Sequence, residues 1–156
     1  MRRRRNENMS AIDTIRTFVT ALENNEKESV EGALDKDFTF SGWTPKPLNR
    51  ADFLTTMYEL KSGLPGLMFN LHNMAEQDNT VTGSIQIAGY QSDAFSIPPL
   101  SLPPVPQMAR SVSLPVEDVT YTFNNDKISH WSIQHVTGGG IVGLLHQLGF
   151  DAPIIQ

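Results

Sequence analysis

The spacing of apolar residues changes character at Gly63-Leu64-Pro65: mostly helical before it, mostly alternating after it. Ser10 opens the first periodic segment, with Asp13 three residues on as in a capping box. Ile12, Ile15, Phe18, Val19 and Leu22 then recur at helical spacing. Residues 26–34 predict a short second helix with Val30, Ala33 and Leu34 as its buried stripe. Residues 37–41 read as an extended piece with Phe38 and Phe40 on one face. Gly42, Pro45 and Pro47 break it into a loop carrying Trp43. Asn49 caps a third helix, again with an acid, Asp52, three residues later. Phe53, Leu54, Met57, Tyr58 and Leu60 line its inner face, and Gly63 and Pro65 stop it.

Beyond the break, residues 67–77 and 81–91 predict two strands joined by a turn at Asp78-Asn79. In the second, Val81, Gly83, Ile85, Ile87 and Gly89 share one face, and by that parity Gln91 points inward with them. Residues 109–123 predict a long strand with a bulge at Pro115. Asn124-Asn125-Asp126 turns the chain, residues 127–136 pair back as the last strand, and Gly138-Gly139-Gly140 releases the chain into a short helix over 141–148. Helices first and strands afterwards are the α+β pattern. The expected architecture is a curved antiparallel sheet wrapped around a pocket by three N-terminal helices, with a short C-terminal helix.

Between the strands, residues 92–108 carry Pro98, Pro99, Pro103, Pro104 and Pro106, which forbid a paired strand. Phe95, Ile97, Leu100, Leu102 and Val105 make the same stretch apolar. A long apolar connection is a lid, a binding loop or a partner surface, or else it packs on its own domain.

A chain of 156 residues fits one domain, expected over 10–150 between a basic tail, 1–9, and a C-terminal tail, 151–156. A domain of this size buries about 68–70% of its extended surface, enough for a core without staples. No cysteine is present, which excludes disulfides, thiolate zinc sites and cysteine nucleophiles and fits a reducing, cytoplasmic compartment. A net charge of −5 argues against nucleic acid as a ligand. Residues 2–5, all arginine, read as a disordered tail, or as a phosphate-binding or targeting one, with no secretory h-region after them. No stretch approaches the ~20 apolar residues of a membrane span.

Nucleophile and phosphate motifs are missing: there is no G-x-S-x-G, and the glycine run lacks a following Lys-Ser/Thr. His72, His130, His135 and His146 lack H-E-x-x-H spacing, and no metal site is expected. On the last strand Trp131, Ile133 and His135 alternate onto one face. If that face is concave, His135 sits near the open end of the pocket, where an imidazole exchanges protons near pH 7; otherwise it is a histidine bonded to nearby backbone. Tyr121 shares parity with Val119 and Phe123, so its hydroxyl either donates to an oxygen that gains charge or is satisfied in the core. Gln91 orients a carbonyl or is a strand-end amide. Trp43 and Tyr58 are wall residues or plain core. Asn73 shares a face with Phe69 and Leu71 and is expected to be a buried polar group needing a partner.

The helix-helix-strand-helix opening, then Asp78-Asn79-Thr80-Val81, Asp126-Lys127-Ile128-Ser129-His130-Trp131 and Gly143-Leu144-Leu145-His146-Gln147-Leu148-Gly149, resembles the SnoaL-like polyketide cyclases of the NTF2-like superfamily. The similarity runs from about Ser10 to Gly149. It implies a cone-shaped α+β barrel, a homodimer, and a ring closure by intramolecular aldol chemistry without a cofactor. The family's acid usually stands four residues after the tryptophan, where this chain has His135. The family's histidine after the second hairpin strand is replaced here by Gln91. Limonene epoxide hydrolases resemble the fold too; of their Asp-Arg-Asp cluster, only Arg110 with Asp93 or Asp118 is available, at poor parity.

Three functions remain open on the sequence. The first is a cofactor-independent acid/base catalyst, cyclase- or isomerase-like, acting on an apolar carbonyl-bearing small molecule. His135 is its base, Tyr121 and Gln91 its oxygen-side donors, and Trp43, Tyr58, Phe69, Asn73, Trp131 and Ile133 its substrate-binding residues. The second is a binding protein that holds the same small apolar ligand without turnover. The third is an interaction module using residues 95–108.

Overall fold

The computed structural model describes residues 10–150; the expectations for 1–9, with its arginines, and for 151–156 lie outside the described residues. Three helices come first: α1 (Ala11–Glu23), α2 (Lys27–Ala33) and α3 (Arg50–Gly63). Two of them start where the spacing predicts. Ser10 Oγ accepts the Asp13 N–H at 3.1 Å, and Asn49 Oδ1 accepts the Asp52 N–H at 2.9 Å. Each such cap contributes about 1 kcal/mol. Ile15, Phe18, Val19 and Leu22 of α1, Val30 of α2, and Phe53, Leu54, Met57 and Leu60 of α3 are buried. The Lys61 ammonium closes the end of α1 by donating to the Glu23 carbonyl at 2.6 Å and to the Pro65 carbonyl. Its burial lowers the lysine pKa.

Strands β1 (Leu34–Ser41), β2 (Leu48–Asn49), β3 (His72–Gln77), β4 (Thr80–Ile85), β7 (Glu117–Asn124) and β8 (Lys127–Ile133) form one sheet in the order β2-β1-β8-β7-β4-β3. Strands β5 (Ala88–Tyr90) and β6 (Ser111–Ser113) form a separate ribbon. The sheet is mostly antiparallel. The exception is the β1–β8 pair, which runs parallel, with Phe40 opposite Trp131. Parallel neighbours need a long crossover, and α3 with all the other strands lies between these two in sequence.

Both turns form where expected, with Asp78 at φ +54° and Asn125 at φ +58°. The long strands do not run through. The 81–91 segment divides after Ile85, and its second half pairs with Ser111–Ser113 instead. The 109–123 segment is interrupted at Leu114-Pro115-Val116, since Pro115 has no N–H for the ladder. Parity survives the division: Val81, Ile85, Ile87 and Gln91 are all buried.

The proline-rich connection packs on its own chain. Phe95, Ile97 and Val105 are buried. Phe95 and Val105 exchange both backbone hydrogen bonds, at 3.1 and 2.7 Å, and Pro98–Leu100 makes one 3-10 turn. A partner surface built on Phe95 is therefore not presented. Helix α4 (Gly140–Gln147) buries Ile141, Leu144 and Leu145. Among the described residues, no helix is long and apolar enough to cross a membrane.

Trp131 is the hub of the core. Its ring lies 5.2 Å from Phe40, 5.8 Å from Phe53, 6.0 Å from Phe18 and Phe69, and 5.1 Å from Tyr121. Such pairs contribute roughly 0.5–1.5 kcal/mol each beyond the area they bury.

Candidate functional site

The polar centre of the interior is a residue the sequence reading passed over, Glu117. It is the first residue of β7 and shares its inward face with Val119, Tyr121 and Phe123. The carboxylate is fully buried. Oε2 accepts the indole N–H of Trp43 at 3.3 Å, and the backbone N–H of Gly140 also donates to the carboxylate. Oε1 has no partner. Burial pushes the carboxyl pKa up to about 7, and the bonds from Trp43 and Gly140 oppose that rise. A group balanced near neutrality, with one oxygen anchored and one unsatisfied, is what proton transfer needs.

Local geometry fixes this end of the sheet. Gly42 has φ +115°, and a Cβ there would lie 2.0 Å from the Ile133 carbonyl oxygen. Only glycine lets β1 turn against β8 so closely and deliver Trp43 over Glu117. On the other side, a Cβ at Gly139 would lie 2.7 Å from Glu117 Oε2. The glycine run is thus the close-packed cover of the carboxylate.

His135 is not in this site. Strand β8 ends at Ile133, Gln134 makes a last bond to the Asp118 carbonyl at 2.9 Å, and His135 is exposed. Continuing the register from Val119↔Ile133 by two residues sets Glu117 opposite His135. Of that pair the structure buries the glutamate. The expectation that alternation carries His135 inward fails because the strand stops two residues before it.

Gln91 is buried as its parity predicts, but both ends of its amide are used. Nε2 donates to the Pro106 carbonyl at 2.8 Å, and Oε1 accepts the Met108 N–H at 2.7 Å. It clasps the proline-rich connection, and these bonds use the amide oxygen and one of the two N–H donors of the amide.

Tyr121 and Trp131 are neighbours across β7 and β8 and stack at 5.1 Å with 29° between planes. The Tyr121 hydroxyl and the Trp131 indole N–H are buried without partners, as is the Thr56 hydroxyl of α3. Burial also raises the Tyr121 pKa, so its phenol stays protonated and a donor. Phe69 and Ile133 are buried beside this set.

Two expected wall residues lie elsewhere. Tyr58 faces outward from α3: its hydroxyl donates to Glu31 Oε2 at 2.7 Å and the Lys27 ammonium stands 4.7 Å over its ring. It lines a surface cleft of about 250 Å3 with Lys61 and Asn24. Asn73 is exposed at φ +55°, where the β3–β4 register shifts; the irregularity turns it away from the face of Phe69. His130 is half-buried between Thr39 Oγ1 at 2.6 Å and Ser41 Oγ at 3.1 Å. Asp118 accepts the Ser84 hydroxyl at 3.1 Å, and Arg110 is exposed beside Gly149. Among the described residues no three histidine or acidic side chains gather as a metal site.

No family model and no curated protein matches this chain. Solved structures do. A limonene-epoxide-hydrolase-like epoxide hydrolase from M. tuberculosis superposes with a TM-score of 0.65 at 16% identity, over 89% of this chain and 92% of that one. A SnoaL-like polyketide cyclase from Agrobacterium tumefaciens gives 0.60 at 15% identity, over 78% and 87%. The fold is SnoaL-like. A protein from Catenulispora acidiphila with a ketosteroid isomerase-like fold agrees, at 0.63 and 10% identity over 94% of this chain and all of that one.

Proposed function

We propose that the protein is a cofactor-independent acid/base catalyst acting on an apolar, carbonyl-bearing small molecule, with Glu117 as the group that carries the proton. The observation behind this reading is the unpartnered Oε1 of a buried carboxylate whose other oxygen is held by Trp43. Oε1 takes a proton from a carbon made acidic by a carbonyl. The C–H electron pair moves into the conjugated system, and negative charge collects on the carbonyl oxygen. Tyr121 and Trp131 supply unused donors for that oxygen. Glu117 and Tyr121 lie four residues apart on one strand, about 13 Å between Cα atoms at a strand's rise. Base and donors therefore suit an extended conjugated ligand, in which acidity is relayed from a distant carbonyl. The cyclase and hydrolase names of the structural neighbours are consistent with small-molecule chemistry in this scaffold.

The test is hydrogen exchange in heavy water, followed by proton NMR, on a panel of ketones such as 2-tetralone, 1-acetylnaphthalene and conjugated enones. Wild-type protein is expected to accelerate loss of the acidic C–H signal, and Glu117→Gln to abolish the acceleration while still binding the ligand. Ligands that bind without any acceleration over buffer would instead establish the non-catalytic binding function, which the same unpartnered donors also favour.

A further inference from the structure

Outside the core, a cleft of about 350 Å3 opens between the β1–α3 loop and the proline-rich connection. Pro45, Pro47 and Leu48 form one wall and Pro99 and Leu100 the other, with Lys46 and Asp52 also lining it. The volume lies in the range of small-molecule sites. Proline rings give stiff, flat walls without N–H groups, which suits a planar apolar ring. Lys46 is the one cation among the lining residues.

The same wall is joined to the buried carboxylate. Thr44 lines the cleft and its hydroxyl donates to the Lys46 carbonyl. Pro45 and Pro47 hold their φ angles near −65°. Residues 43–47 thus form a short stiff turn, with one face on the cleft and the Trp43 indole on Glu117 at the other end.

We infer that this cleft binds a planar apolar ring system bearing an oxygen acceptor for Lys46, and that its occupancy reaches Glu117 through the turn and Trp43. The second half rests on the reading of Glu117 given above. A ligand that presses the turn outward withdraws the indole N–H from Oε2. The carboxylate then loses a bond that favours its charged form.

The probe is 8-anilinonaphthalene-1-sulfonate, which offers a planar apolar naphthalene ring and a sulfonate for Lys46, followed by its fluorescence on the whole protein. Saturable binding is expected. Leu100→Asp should weaken it at least tenfold. The exposed Lys46→Glu change, which leaves the fold intact, should weaken it several-fold. In parallel, 13C NMR of the Glu117 carboxyl follows its titration. Saturating probe is expected to move the midpoint up by about one pH unit, the scale of one hydrogen bond to a charged group. In Trp43→Phe the midpoint should start high and ignore the probe.

Wild-type affinity in both cleft variants, or no saturable binding at all, overturns the site. Binding that depends on Lys46 and Leu100 but leaves the Glu117 midpoint in place overturns the coupling. Glu117→Gln should bind the probe like wild type, so a failure of the exchange chemistry is read separately from a failure of the cleft.

Discussion

The indole N–H of Trp43 and Oε2 of Glu117 meet at 3.3 Å although the residues stand 74 positions apart. One hydrogen bond thus ties the loop after β1 to the first residue of β7, beneath the glycine run that leads into α4. The contact joins the turn that follows Gly42 to the only fully buried acidic side chain among the described residues.

That carboxyl makes stability depend on pH in a particular direction. Its folded pKa is raised to about 7 from an ordinary 4.5. Below 4.5 both folded and unfolded chains hold the proton and nothing is lost. Between 4.5 and 7 the unfolded chain releases it while the folded chain keeps it, so stability falls as pH rises and levels off above 7. Urea unfolding from pH 4 to 8 is expected to show this slope, and Glu117→Gln to remove it. An unchanged slope in the variant would assign it to other groups.

Gln91 holds the proline-rich connection by two hydrogen bonds from a fully buried amide. Gln91→Leu leaves the Pro106 carbonyl and the Met108 N–H without partners, at a cost of about 2–4 kcal/mol. Hydrogen exchange should report the loss first at the Phe95 and Val105 amides, whose bridge closes the same loop. Loss spread evenly over the sheet would mean that the amide supports the core rather than the connection.

Gly42→Ala sets a Cβ within 2.0 Å of a backbone oxygen at φ +115°. Neither atom can step aside without moving β1 or β8, so destabilisation of about 3 kcal/mol or more is expected. The variant should also move the Glu117 midpoint further up, because the Trp43 bond that this turn delivers is one that opposes the rise. Denaturation together with the carboxyl titration checks both.

Much of the fold was legible because its signals are local. The Ser10 and Asn49 caps, the Asp78 and Asn125 turns and the inward parity through Gln91 each depend on residues within a few positions. Strand ends were not, because they depend on pairing: β4 stops at Ile85 since residues 88–90 find Ser111–Ser113, and β8 stops at Ile133 since the chain turns over Glu117. The candidate site moved for the same reason. Alternation alone ranks His135 and Glu117 equally as inward residues at one end of the β7–β8 pair, and only the register shows which strand continues there. The signal for Glu117 is present in the sequence, since it shares the odd parity of Val119, Tyr121 and Phe123.

His135 follows from that comparison. Exposed and past the end of β8, it should tolerate His135→Ala within about 0.5 kcal/mol of stability and with an unchanged rate of C–H exchange on any ketone the protein turns over. A tenfold loss of exchange rate would return the proton-carrying role to the imidazole.

Tyr121 separates stability from function most sharply. Its ring is stacked on Trp131 and fully buried, while its hydroxyl has no partner. A buried hydroxyl without a hydrogen bond costs about 1–3 kcal/mol, and Tyr121→Phe removes that cost while keeping the ring and its stacking. The ligand-free variant is therefore expected to be more stable than wild type by about 1 kcal/mol. If the hydroxyl waits for a ligand oxygen, the same variant should bind ketones about tenfold more weakly, a loss of about 1.4 kcal/mol. Thermal unfolding with and without ligand reads both effects: the variant starts higher and gains less. A variant that is less stable without ligand would show that the hydroxyl is satisfied within the core, and would withdraw Tyr121 from the site.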